Sequence, residues 1–98
     1  MLRIIKVTGS SLFPKIKPGD FVLIDRLPWL FHRVKTGDVV VFNHPIYGRM
    51  IKIVERVDRQ RKELWVYGVK EESLDSKALG AVLSNWLIGK VIWHIKGE

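Results

Sequence analysis

The chain has 98 residues, 47% of them hydrophobic and 28% charged, with 17 Lys and Arg against 10 Asp and Glu for a formal charge of +7. This is apolar material for one core and not for two, so one domain covering residues 1–98 is expected. Without cysteine there is neither a disulfide framework nor a thiolate metal site, and no apolar run approaches the ~18 residues of a membrane-spanning helix.

Leu2 to Val7 is apolar and β-branched and reads as a first strand. Gly9-Ser10-Ser11-Leu12-Phe13-Pro14 follows and runs into Lys15-Ile16-Lys17-Pro18-Gly19-Asp20. Gly9 opens torsions closed to other residues, while Pro14 and Pro18 fix φ and forbid a continuing helix, so this stretch predicts a tight backbone path. Phe21-Val22-Leu23-Ile24, closed by Asp25-Arg26, is a short strand. Leu27 to Phe31 precedes basic residues and the turn Thr36-Gly37-Asp38. Val39 to Phe42 is the next strand, ended by Asn43-His44-Pro45, and Tyr47-Gly48-Arg49 leads into a long extended segment from Met50 to Val57. Arg59 to Lys62 makes a polar turn and Glu63 to Tyr67 pairs back as a strand. Gly68 to Gly80 is polar and irregular, and Trp86 to Ile95 is the last strand, with Gly89 as a candidate bulge. About six short strands punctuated by turns predict a small, strongly coiled all-β domain. Pro18-Gly19-Asp20-Phe21 and Thr36-Gly37-Asp38-Val39 echo each other, which one turn solution used twice explains without a repeat.

The N-terminal apolar segment is interrupted by Gly9 and Ser10 too soon for a secretory signal, so a soluble, cytoplasmic protein is expected. The excess of cations raises nucleic acid and anionic lipid as partners. Yet the basic residues are scattered, and their densest run, Arg56 to Lys62, contains Asp58 and adjoins Glu63. That run reads mainly as a solvated hairpin.

A serine held on a rigid turn can be a nucleophile when a base takes its proton. His32, His44 and His94 have no recognisable triad context and no metal-ligand spacing, and read as structural or solvated. Lys52 is the stronger candidate, because it interrupts the apolar run Met50-Ile51-Lys52-Ile53-Val54. A lysine in such a run either snorkels to solvent or is buried for a reason. Burial lowers its pKa by penalising the ammonium. At the ordinary value of ~10.4 the free amine costs roughly 4.6 kcal/mol at pH 7, and a pKa near ~8 cuts this to roughly 1.4 kcal/mol. Burial is therefore the condition for a serine–lysine dyad.

Val7-Thr8-Gly9-Ser10-Ser11-Leu12-Phe13-Pro14, followed by Pro18-Gly19-Asp20-Phe21-Val22-Leu23-Ile24, resembles the nucleophile box of the type I signal peptidases. That family's pattern is Ser-Met-x-Pro, then Gly-Asp and an apolar strand. Gly37-Asp38-Val39-Val40-Val41-Phe42 is similar to its next strand, and Ile51-Lys52-Ile53-Val54 falls at its Lys-Arg-Val base box. Ser73-Leu74-Asp75-Ser76-Lys77 resembles its late Ser-x-Asp-Ser-Arg box, and Gly89-Lys90-Val91 its final strand. The resemblance implies a single catalytic domain with the fold shared by signal peptidases and the C-terminal domains of SOS-type repressors. It implies Ser11 as nucleophile, with proline three places on, Ser10 as the family's variable position and Lys52 as general base. The backbone N–H of Ser11 would donate to the oxyanion, Ser73 would orient the lysine amine and Asp75 would brace that loop. Leu12, Phe13 and Met50 would wall the substrate pockets, and no cofactor or metal is implied.

Departures from the pattern are Leu12 for methionine, Ile53 and Lys77 for arginines, and Gly68-Val69-Lys70 where Gly-Asp-Asn is usual. The layout is most similar to the short soluble nickel-type superoxide dismutase maturation proteases, which trim an N-terminal extension from a precursor protein. Cleavage after small residues is then expected. Two rival readings come from other classes. One is an idle basic β-domain that stacks nucleic acid bases on Trp65 and Tyr67. The other is a membrane-surface signal peptidase whose Leu27-Trp29-Leu30-Phe31 segment dips among lipid headgroups, through Trp29 and Phe31.

Overall fold

Short apolar runs, two of them opened by a Gly-Asp turn and one closed by His44-Pro45, fold into antiparallel strands. The computed structural model describes residues 2–8, 16–26, 30–68 and 79–97. Its strands are β1 (Leu2–Lys6), β2 (Phe21–Asp25), β3 (Val39–His44), β4 (Gly48–Asp58), β5 (Glu63–Tyr67), β6 (Val82–Leu83) and β7 (Leu87–Ile95). One helical turn, α1 (Leu30–Arg33), lies between β2 and β3. The strands form one sheet in the order β1-β2-β7-β3-β4-β5-β6, and every pairing is antiparallel. The fold is all-β.

The two echoing turns are one structure used twice. Gly19 and Gly37 both have φ of 92°, the third-position torsion of a type II turn that a side chain would strain. In each, the Asp amide donates to the lysine carbonyl three residues back, Asp20 to Lys17 at 3.0 Å and Asp38 to Lys35 at 3.1 Å. Each Asp carboxylate then accepts from the same lysine's N–H, at 3.0 Å in the first turn and 2.9 Å in the second. Each Gly-Asp pair also docks on another element. Gly19 donates to Val7 and Val7 to Asp20, while Gly37 donates to Val54 and Val54 to Asp38.

The core has two clusters. Ile5, Val7, Ile16, Val22, Ile24, Val41 and Ile53 form one, and Val34, Val40, Phe42, Val54, Leu64, Val66 and Val82 form the other. Neighbours in sequence, Val40 with Val41 and Ile53 with Val54, go to different clusters. Thus β3 and β4 are buried on both faces, and this is why their sequences read as continuous apolar runs rather than alternating ones.

Three features differ from the expectation. β6 and the 3-10 turn Ser84–Trp86 precede the last strand, which starts at Leu87. β7 bulges twice, with Ile88 extra against β3, where Val41 pairs with Gly89 and Phe42 with Leu87, and Ile92 extra against β2, where Leu23 pairs with Trp93 and Ile24 with Val91. Gly89 is needed instead for close approach, because a Cβ there would lie 2.8 Å from the Asp25 carbonyl oxygen. Finally, α1 forms where the sequence offers no helical period. The Arg59 guanidinium donates to the Phe31 and Val34 carbonyls at its end and lies over the Phe31 ring at 5.4 Å.

Candidate active site

Lys52 lies in β4 opposite Val40, and only 1% of its surface is exposed. Its neighbours in register and in sequence are apolar, so the ammonium form is desolvated where a surface lysine's would not be. A cleft of about 230 Å³ runs past it, lined by Ile5, Lys6, Val7 and Thr8 on one side and by Arg49, Met50, Ile51 and Lys52 on the other, with Val22, Val41 and Tyr47 between. Successive side chains of a strand point to opposite faces. A cavity that touches four consecutive residues on each wall therefore follows strand edges rather than lying over one face. β1 is an end strand of the sheet, and β5 joins β4 only from Ile53 onward. The coil of the sheet brings the far half of β1 to face the first half of β4.

Thr8 lines this cleft, and the serine stretch follows it in sequence from Gly9. Ser10, Ser11, Leu12, Phe13, Ser73 and Asp75 lie outside the described residues, as does Trp29. What the structure describes is how both ends of the serine stretch are fastened. Val7 exchanges two backbone hydrogen bonds with the 19–20 turn, at 2.7 and 2.8 Å. The Asp20 carboxylate holds that turn from three sides, accepting from Lys17 N, from Gly97 N at 2.8 Å and from His94 Nε2 at 2.7 Å. The two N–H donors and the His94 contact hold its pKa down at about 2.

The remaining predicted residues sit as follows. Met50 is half-buried on the cleft wall. None of the three histidines lines the cleft. His44 Nδ1 accepts from the N–H groups of Ile46 and Tyr47 and so closes the β3–β4 hairpin. His94 belongs to the Asp20 clasp, and His32 is exposed beside Phe31. Phe31 is half-buried under Arg59. The Trp65 ring carries the Arg56 guanidinium at 4.9 Å from its centroid, while Tyr67 is exposed on the same face of β5. Sequence reasoning missed Ile5, Val7, Val22, Val41, Tyr47 and Arg49 as cleft residues. Among the described residues no helix is long and apolar enough to cross a membrane.

Fold and cleft together define a small all-β domain with a buried lysine on the rim of a strand-edge groove. The model of the Peptidase S24-like family matches residues 1–66, which is more than half of the chain, and the chain belongs to that family. The match runs from β1 into β5 and so includes both walls of the cleft. No curated protein matches the chain significantly.

Proposed function

We propose that the protein is a serine endopeptidase in which Ser11 is the nucleophile and Lys52 its general base. The observation that carries this reading is the burial of Lys52 on the wall of the cleft that Thr8 joins to the serine stretch. Membership in the S24-like peptidase family supports it. Lys52 Nζ, neutral in the resting enzyme, takes the proton of Ser11 Oγ as that oxygen adds to the scissile carbonyl. The Ser11 N–H steadies the oxyanion, and the lysine ammonium returns the proton to the leaving amine. Water then adds to the acyl carbonyl as its proton passes to Lys52, and the bond from that carbon to Ser11 Oγ breaks as Lys52 returns the proton to Oγ. Ser73 orients the lysine and Asp75 braces it, as the resemblance to signal peptidases implies.

The substrate in this reading is an extended segment of a precursor protein, which adds to the edge of β1 and presents alternate side chains to the cleft. Its walls are bulky and the volume is only about 230 Å³, so alanine or glycine is preferred just before the cut and two places upstream. Removal of an N-terminal extension, as by the maturation proteases that the layout resembles, is the finer form of the proposal. The test is incubation of precursors carrying extensions that end in Ala-x-Ala with the wild type and with Ser11→Ala. Cleavage by the wild type and its complete loss in Ser11→Ala are expected. Cleavage retained by Ser11→Ala, or preferred after large aromatic residues, contradicts the nucleophile or the pocket respectively.

A further inference from the structure

The outward face of β1, β2 and β7 is apolar and uncovered. Cross-strand partners place Ile4, Leu23 and Trp93 in one row and Phe21 with Ile95 in the next, and directly opposed side chains stand only ~4.5–5.5 Å apart. Trp93 is 66% exposed, Leu2 63% and Ile4 60%, with Phe21 and Ile95 also exposed. Single exposed apolar residues need no explanation, but a contiguous patch marks an interaction surface.

Charge selects the partner. Lys6 lies on the same outward face, and Arg26 and Lys96 follow the ends of β2 and β7, all three exposed. The acids described on these elements are both engaged, Asp25 with Arg33 at 3.5 Å and Asp20 with His94 at 2.7 Å. Among the described residues no acid pairs with these three cations, on a chain of formal charge +7. Stacking two copies face to face would crowd those cations together, which opposes self-association. An anionic lipid surface meets both needs, because aliphatic side chains and an indole enter the interface while lysine and arginine stems carry their charges to the headgroups.

From this geometry we infer that the protein docks reversibly on anionic membranes through the outward face of β1, β2 and β7. The inward residues of the same strands, Ile5, Val7 and Val22, line the cleft, so docking holds the cleft one strand layer from the lipid. The inference is independent of the peptidase reading, because vesicle binding requires no cleavage.

The experiment is co-sedimentation of the full chain with vesicles of equal parts phosphatidylglycerol and phosphatidylcholine, beside vesicles of phosphatidylcholine alone. Circular dichroism checks that each variant is folded, which exposed positions favour. The wild type sediments with the anionic vesicles and less as salt is added. The double variant Ile4→Ser, Trp93→Ser loses about tenfold or more in affinity, and Arg26→Gln and Lys96→Gln lose about fivefold each. Failure to sediment with anionic vesicles overturns the inference. So does undiminished binding by folded Ile4→Ser, Trp93→Ser, which would reduce the effect to charge alone. A dimer of the wild type that Trp93→Ser abolishes would also overturn it, by assigning the face to a second copy.

Discussion

Lys52 and Asp20 are two buried charged residues. The lysine is buried in β4 opposite Val40, between Ile51 and Ile53 in sequence. The carboxylate of Asp20 is surrounded by donors that favour its charged form and hold its pKa at about 2, below the ordinary 3.8. A carboxylate whose folded pKa is depressed stabilises the fold above its unfolded pKa, and the contribution fades as pH falls toward the folded value. Asp20→Asn is therefore expected to melt lower than the wild type at neutral pH. The difference narrows between about pH 4 and pH 2, which thermal unfolding followed across pH measures. A constant difference would mean that the carboxylate's charge is not what Asp20 contributes. Lys52 was legible in the sequence because an ammonium among Met, Ile and Val has few harmless explanations. The Asp20 clasp was not legible, because His94 and Gly97 reach it from 74 and 77 residues away.

At the scale of elements, local chemistry was a good guide wherever a turn was self-contained. The repeated Gly-Asp turn was readable because the hydrogen bonds that close it stay within four residues, and β5 was readable as the segment that pairs back after the polar turn. Elements decided by distant partners were not readable. α1 depends on Arg59, in the turn beyond β4. β6 has two residues, too few to show any period. Gly89 illustrates the same limit, since its position suggested a bulge while its necessity comes from β2 crossing it closely. A methyl group there would meet backbone oxygen at 2.8 Å and the Ile24 side chain at 2.8 Å. Gly89→Ala is accordingly expected to destabilise the protein by about 1–3 kcal/mol, measured by chemical denaturation. An unchanged midpoint would show that β2 and β7 can separate without cost.

At the scale of the whole molecule, the order of the sheet makes the cleft. β7 comes from the end of the chain and inserts between β2 and β3, so the first two strands are carried around to face β4. No local pattern announces that insertion. This is why the burial of Lys52 could be anticipated from sequence, while the wall formed by Ile5, Val22 and Val41 could not. The same curl gives β1 and β2 two distinct faces, with apolar cleft residues inside and an apolar, cation-rimmed patch outside.

The central claim is the proposed one, that the buried Lys52, and no histidine, activates Ser11. The pH dependence of kcat/KM for cleavage of a small-residue peptide tests it most directly, since that profile reports the free enzyme's essential base. The account predicts a rate that rises with pH through an apparent pKa well below ~10.4. It also predicts that His32→Gln, His44→Gln and His94→Gln leave the position of that rise unchanged, and that Lys52→Arg, whose guanidinium keeps its proton, is inactive. A maximum near about pH 5–6, or a rise shifted by replacing one histidine, would contradict it.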